Sequence, residues 1–452
     1  MDKELLQKAL RIQHDNQISI KKNEKNYAFT FIYPPSKVLY PIEEYMGDIG
    51  EIKEANLYIH IPYCTGRCTY CYFGCYSIAH APIPEQQYVD KLCREMELLN
   101  ARYGKIRILS IHFGGGTPTT LTNDQIDRIF GKIRESFFVE KEIEITMESS
   151  PETLIEAKLA CMIKNGVNRL NIGVQTLNND LLKSINRRHD ANKALLGIKM
   201  AKDMGINNIN IDVMYGLKGQ TMDDWLYTLN TVLDMGIQSI STYRLRIHPK
   251  GKLKEDISTF DEDKAIEMYV AMLDVMKSYN FYQCSSHKFA IREEMAQKQI
   301  VNKRGIGKNT LISAGMAAYS NVDNIVYWNE RTMEKYVEKI DNGELPASIG
   351  YVLDKTEEMA KACVLGIHNV NGINLVKFKE KYGVDVKDVY GDLIDRLINL
   401  GLIEMSSSNL IPSKLGMIFA DEIATEFYSD DIKKKLGLSG DKYGIFFDNI
   451  LD

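Results

Sequence analysis

A chain of 452 residues is long enough for about three ordinary domains, or for one large α/β domain with a smaller companion. Its 44% hydrophobic, 26% charged and 9% aromatic residues are ordinary globular proportions, which exclude a disordered or collagen-like chain. A net charge of −5, from 56 basic and 61 acidic residues, leaves no electrostatic footprint for general nucleic-acid binding. No uninterrupted apolar run reaches about 18 residues, so no membrane span is expected. The start Met1-Asp2-Lys3-Glu4 has no apolar signal core and points to the cytoplasm.

In chain order, residues 1–50 hold a short amphipathic start, Leu5 to Leu10, then a Tyr/Pro-rich stretch from Phe29 to Pro41. The latter reads as an arm laid on the main domain, in a position to cover the active site. From 51 to about 290, β-like runs alternate with helical patterns. The runs occupy 57–62, 108–113, 143–147, 169–175, 208–214 and 239–245. Between them apolar residues recur at three and four positions, as in Tyr88, Leu92, Met96 and Leu99, or Ile126, Ile129, Phe130 and Ile133. Thr122 to Gln125 and Thr221 to Asp224 have capping-box form, and Gly166, Gly205 and Gly236 follow helix ends. Such a repeat builds right-handed βαβ units around a parallel sheet, an open or partial (β/α)6 barrel, with a doubly wound sheet as the alternative. Either places chemistry at the C-terminal ends of the strands.

Residues 291–350 read as a connecting, substrate-side segment. From 351 to 452 the texture becomes mostly helical and winged-helix-like, with helices near 359–366, 375–382 and 386–400 and a two-stranded wing at 402–405 and 409–411. Five basic and five acidic residues between Ile373 and Leu400 balance, so a packing or substrate-covering module is favoured over a nucleic-acid reader.

The eight cysteines are unevenly placed. Cys64, Cys68, Cys71 and Cys75 crowd directly behind the first strand, while Cys93, Cys161, Cys284 and Cys363 are scattered through apolar segments and read as core. In a large chain with no secretory signal, this density points to metal or redox chemistry. A structural zinc site normally shows two cysteine pairs separated by a longer loop. Here three thiols at spacings of three and two intervening residues suit three corners of a [4Fe-4S] cube, with the fourth iron open to an outside ligand.

The motif Cys64-x3-Cys68-x-Tyr70-Cys71 resembles that of the radical SAM enzymes, in which S-adenosylmethionine chelates the open iron. His112-Phe-Gly-Gly115-Gly116-Thr117-Pro118 follows the second strand. Glu148, Gln175, Arg187 and Asp212 stand at or beyond later strand ends. With the Tyr58-x-His60-Ile-Pro62 lead-in, Gly173-Val-Gln175 and Tyr215-Gly-Leu-x-x-Gln220, the series resembles the oxygen-independent coproporphyrinogen oxidase-like (HemN-like) branch over residues 55 to 430. The resemblance implies a [4Fe-4S] cluster on Cys64, Cys68 and Cys71 and one or two molecules of S-adenosylmethionine. Tyr58, Tyr70, Gly115, Gly116, Thr117, Glu148, Gln175, Arg187 and Asp212 would contact them. It also implies an external one-electron reductant such as flavodoxin or ferredoxin, and a small-molecule or tetrapyrrole substrate.

The porphyrinogen oxidases carry a further cysteine two residues after the third cluster thiol; here that position is Phe73, and the extra thiol is Cys75. The branch's heme chaperones join His-Asn-x-x-Tyr-Trp in one element, whereas here His287 and Tyr327-Trp328 are separate. By elimination, a two-SAM methyltransferase or C–C bond-forming enzyme is expected, with oxidative decarboxylation and heme carriage as alternatives. Catalytic candidates are Tyr58, Cys75 and His287. Cys75 reads equally as a buried thiol beside the cluster, and His287 as a satisfied core residue near a seventh β-like run at 281–284. The stretch Gly305 to Thr310 is set aside as a phosphate loop, because Asn302 replaces its first glycine.

Overall fold

The computed structural model describes residues 1–15, 32–71, 74–246, 260–298, 306 and 310–437. Phe73, Phe29 and most of the stretch 305–309 lie outside them. Six parallel strands form its centre: β1 (Glu54–Ile61), β2 (Arg107–Gly115), β3 (Phe138–Ser149), β4 (Arg169–Gln175), β5 (Ile209–Tyr215) and β6 (Ser239–Arg244). They pair in sequence order, each parallel to the next. Helices cover the outer face, so the strands are buried along most of their length rather than alternating, as β1 is at all but two of its positions.

Local chemistry explains the regularity. Helix α2 (Glu85–Tyr103) buries Tyr88, Leu92, Met96 and Leu99. Helix α3 (Asn123–Ser136) buries Ile126, Ile129, Phe130 and Ile133, and the Phe130 ring meets Phe113 of β2 with centroids 4.9 Å apart. Each such side chain contributes about 1.5–3 kcal/mol by leaving water. Both expected capping boxes form, at Thr122 with Gln125 and at Thr221 with Asp224. Gly166, Gly205 and Gly236 all take positive φ where the chain leaves a helix for the next strand.

The strand order is linear, so among the described residues the sheet is open and not a closed barrel. Both flanks are extended. The segment read from sequence as connecting and substrate-side, 291–350, contributes Leu311–Ala314 parallel to β1 and then three antiparallel strands that end at Val352. On the other flank the seventh β-like run forms Tyr282–Ser285, which turns back through Lys288–Ala290 to pair antiparallel with β6.

The C-terminal region forms helices Lys355–Ile367, Leu375–Tyr382 and Val386–Asn399 and a wing of Ile403–Met405 with Asn409–Pro412, to which Ile373–Asn374 adds a third strand. Helix α1 (Lys3–Asp15) packs on Glu262–Ser278 and on Lys414–Ile418, tying the two regions together. The described part of the arm that follows, residues 32–41, lines none of the chamber described below. Tyr33 is buried against the C-terminal region, its hydroxyl bonded to Glu357, and Tyr40–Pro41 pairs with the outer strand Ala347–Val352. No helix of the described residues is long and apolar enough to cross a membrane.

A buried carboxyl fastens the strand extension to this core. Glu95 on α2, 1% exposed, accepts from the Gly315 amide (2.7 Å), Asn329 Nδ2 (2.7 Å) and Tyr336 Oη (2.6 Å). Burial outweighs these bonds and raises its pKa from 4.5 to about 7. The folded protein therefore keeps a proton that the unfolded chain has released, and stability falls as pH rises from about 4.5 to about 7. Across that window urea unfolding of the native chain should lose on the order of 2 kcal/mol that Glu95→Gln does not lose. Parallel slopes for the two proteins would refute this assignment.

Candidate active site

A cavity of about 500 Å³ opens at the C-terminal ends of the six strands. Its near wall is the loop after β1, which brings Cys64, Cys68, Cys71 and Cys75 to the chamber with Tyr70. Backbone hydrogen bonds seat this loop on the glycine turn after β2. The Gly116 amide donates to Ile61 O (2.8 Å), the Thr117 amide to Tyr63 O (2.7 Å), and the Tyr76 amide to Pro62 O (2.7 Å).

The turn needs glycine for a steric reason. A Cβ on Gly116 would lie 2.4 Å from Tyr63 O and 3.0 Å from Cys64 Sγ. Gly115, at φ 111°, would meet the His60 ring at 2.6 Å.

The later strands supply the floor. Tyr58 of β1 bonds His60 Nδ1 (3.0 Å). Glu148, near the end of β3, is gripped by His112 Nε2 at 2.9 Å. The tautomer of His112 follows from its neighbours: Lys288 Nζ donates to Gln297 Oε1 (3.1 Å), so the Gln297 amide nitrogen faces His112 Nδ1 and donates to it. The proton of His112 is then on Nε2, pointing at Glu148. Gln175 ends β4 with φ 68°, a left-handed conformation uncommon outside glycine. Asp212 on β5 accepts from Asn210 Nδ2 (2.8 Å), and burial pushes its carboxyl up to about 6.

Arg187, beyond β4, connects the floor to the cysteine loop. Its Nη1 lies 3.5 Å from Cys68 Sγ, and Nη2 donates to Ser150 Oγ (2.8 Å) and to Gly173 O. Burial opposes its charge, but Tyr70, Cys68 and Glu152 keep the guanidinium firmly protonated. Burial likewise opposes ionisation of Glu152, yet bonds from His189 and Ser150 and the charge of Arg187 bring it down to about 2. At the cysteines, a hydrogen bond from Cys75 lowers the pKa of Cys64, while the same bond raises Cys75 to about 12.

Every cluster, cofactor and catalytic candidate singled out in the sequence lines this one chamber, Cys75 and His287 included. His287 stacks on Tyr243 with centroids 5.4 Å apart, so it is a wall residue and not a core histidine. Of the four cysteines read as core, Cys93, Cys161 and Cys363 are buried, but Cys284 is half-buried beside the hairpin after β6. Sequence reasoning missed Glu152, Arg188, Tyr243, Arg244 and Arg246. Only Arg244 had a signal, its place at the end of the sixth strand. It also missed Asp421, which reaches the chamber from the C-terminal region.

The walls fit the groups that the cysteine spacing implies. Arg187 Nε and Asn171 Oδ1 are buried on them without a hydrogen-bond partner, and glycines 115 and 116 leave a cradle that a Cβ would fill. Among the described residues no three His, Cys, Asp or Glu side chains are arranged to hold a single metal ion.

Comparison with known proteins gives the same superfamily as the cysteine motif. The family model "Radical SAM superfamily" matches residues 58–232, and "HemN C-terminal domain" matches 353–419. The chain is 28% identical over 381 residues to the heme chaperone HemW of Bacillus subtilis, covering 83% of this chain and 99% of that one. It is 26% identical over 393 residues to the oxygen-independent coproporphyrinogen III oxidase of Helicobacter pylori strain 26695, covering 82% and 85%. The solved structure of coproporphyrinogen III oxidase (HemN) from Escherichia coli shares the fold, with a TM-score of 0.76 at 20% identity over 87% of this chain and 96% of that one.

The glycine cradle gives a direct test. Gly116→Ala should weaken the seat of the cysteine loop by about 1–3 kcal/mol, the usual penalty of overpacking. Iron retained after anaerobic reconstitution should fall at least about twofold, with the far-ultraviolet circular dichroism of the sheet and helices unchanged. Full iron loading in this variant would contradict the steric reading.

Proposed function

The chain belongs to the radical SAM superfamily, in its HemN-like branch, and from that premise we propose that it is an enzyme opening its reaction on an organic small molecule by hydrogen abstraction in the chamber. The observation that carries this reading is the convergence of Cys64, Cys68, Cys71, the glycine turn and the polar strand ends on one cavity. Enzymes of the superfamily use a [4Fe-4S] cluster and S-adenosylmethionine, which when bound supply one-electron cleavage to methionine and a 5′-deoxyadenosyl radical.

In this chain Cys64, Cys68 and Cys71 would hold the cluster. The Arg187 guanidinium, 3.5 Å from Cys68 Sγ, would offset negative charge on the thiolates. Glu148, steadied by His112, and the amides of Gly115 and Gly116 would orient the ammonium and carboxylate of the sulfonium ligand, with Thr117 beside them. Gln175 and Asp212 would serve the sugar hydroxyls, and the backbone at Tyr70 the adenine. Tyr58 would border the cluster, and Cys75 and His287 stand where a reacting substrate could meet them. The C-terminal module, through Met417 and Ile418, closes the chamber on the substrate side and would keep water from the radical. An external flavodoxin- or ferredoxin-like protein would supply the electron.

The relatives' names supply the competing outcomes, an oxidase and a heme chaperone. Phe73 stands where the oxidases have their further cysteine. Tyr327 and Trp328 lie on the strand extension, away from the chamber that His287 lines. Two-SAM methyl transfer or C–C bond formation is therefore the reading retained for the second half of the reaction.

Anaerobically reconstituted protein with dithionite should release 5′-deoxyadenosine, and Cys68→Ala should lower that release by at least about a hundredfold. Undiminished release would sink the assignment. With S-adenosylmethionine labelled on its methyl group, label in the product supports methyl transfer, loss of carbon dioxide without label supports the oxidase, and heme uptake without any product supports the chaperone.

A further inference from the structure

The pole of the chamber opposite the cysteine loop is not accounted for by the cluster or by the sulfonium ligand bound to it. Arg244 and Arg246 enter it from the end of β6, and Asp421 faces them from helix Ala420–Glu426. Arg244 Nη2 lies 3.3 Å from Glu422 Oε1 and 3.9 Å from Asp421 Oδ2. Arg246 donates to the same Asp421 oxygen, and His368 Nε2 lies 3.7 Å from the other.

The two carboxylates are not equivalent. Glu422, its side chain 2% exposed, lies behind Arg244 and is not part of the chamber wall; it fixes the guanidinium in place. Asp421, 14% exposed, is on the wall and is shared among Arg244, Arg246 and His368. A single oxygen thus serves two planar forks, each shaped to take a carboxylate through two parallel N–H bonds. Beside it the wall is apolar, formed by Met417 and Ile418 with Tyr269. A site with two guanidiniums next to an apolar surface matches an organic body that ends in a carboxylate.

We infer that Arg244 and Arg246 form a carboxylate subsite for the substrate, and that Asp421 is an internal stand-in which the substrate's carboxylate displaces. Glu422 stays as the anchor of Arg244. The ligand class is a carboxylate, because Asp421, the partner to be displaced, is itself a planar carboxylate of the shape that guanidinium forks accept. The inference rests on the chamber being the substrate site, but its readout is equilibrium binding without reductant. Failure of the deoxyadenosine assay and failure of the subsite are therefore distinguishable.

The probe is coproporphyrin III, a tetracarboxylate with an apolar ring, titrated into the full chain by fluorescence and compared with its tetramethyl ester. The acid should bind about tenfold tighter than the ester, the value of one charge-assisted hydrogen-bonded pair. Arg246→Gln should erase that difference, and Arg246→Lys should restore part of it. Asp421→Asn supplies a sign that a structural role cannot mimic: removing the competing carboxylate should tighten the acid by about three- to tenfold and leave the ester unchanged. Equal affinities of acid and ester for the native chain, no binding of either, or an Asp421→Asn variant that loosens the acid would each overturn the inference.

Discussion

The cysteine loop stays over the sheet because backbone meets backbone at the glycine turn. The amides of Gly116 and Thr117 reach the carbonyls of Ile61 and Tyr63 at 2.8 and 2.7 Å, a close approach that only a residue without a side chain permits at 116. Three thiols brought in by a short loop would otherwise sample many positions, and ordering each backbone residue costs about 1–2 kcal/mol. The sheet offsets that cost by offering fixed acceptors at its rim. Arg187 closes the arrangement from the other side, between Cys68 and the carbonyl at the end of β4.

The chamber is electrically divided as a result. Around the cysteine loop stand Glu148 and Glu152 together with the guanidiniums of Arg187, at Cys68, and Arg188, at Gly66, a setting of both signs that suits a ligand carrying an ammonium and a carboxylate. Asp212 lies on the floor between the poles, its carboxyl pushed up by burial, with Lys288 the main charge opposing that rise. The far pole carries two arginines answered by acids from the C-terminal module. One chain thus presents two different ligand chemistries to one cavity, and it does so with its two regions meeting across the chamber. Helix α1 and Tyr33 hold those regions together on the outside, so the two sides of the cavity are joined by contacts that do not face it.

Much of this was legible in the sequence where the deciding interactions are short in range. The parallel strands fall on the runs read from hydrophobic pattern, and both capping boxes form, because each depends on residues three or four apart. The helices read near 359–366, 375–382 and 386–400 and the wing were equally visible, whereas Lys414–Ile418, Ala420–Glu426 and Asp430–Lys435 were not read. The stretch 311–352 was not: its strands pair with β1 and with one another, and nothing in their own spacing says that their partner lies some 250 residues earlier, as Leu311 opposite Asn56 does. The course of the arm was hidden for the same reason. Its prolines and tyrosines mark an extended segment, but only the buried pair Tyr33 and Glu357 shows where it lies. Asp421 carried no signal, since an acid in the first turn of a helix is ordinary dipole chemistry.

By itself, the sequence determined the cofactor chemistry of this protein. The cysteines proposed to hold the cluster, Cys64, Cys68 and Cys71, come from one short loop, and their spacing is a local property that folding does not change. It also determined the parallel α/β core, whose periodicities are local too. The tertiary structure alone decided what the rest of the chamber is. Arg246 and Asp421 are 175 residues apart, one beyond the sixth strand and the other in the C-terminal region, so only their packing makes them one site. Charge at a distance leaves no period in a sequence, and which cation meets which acid is settled by the fold that brings them together.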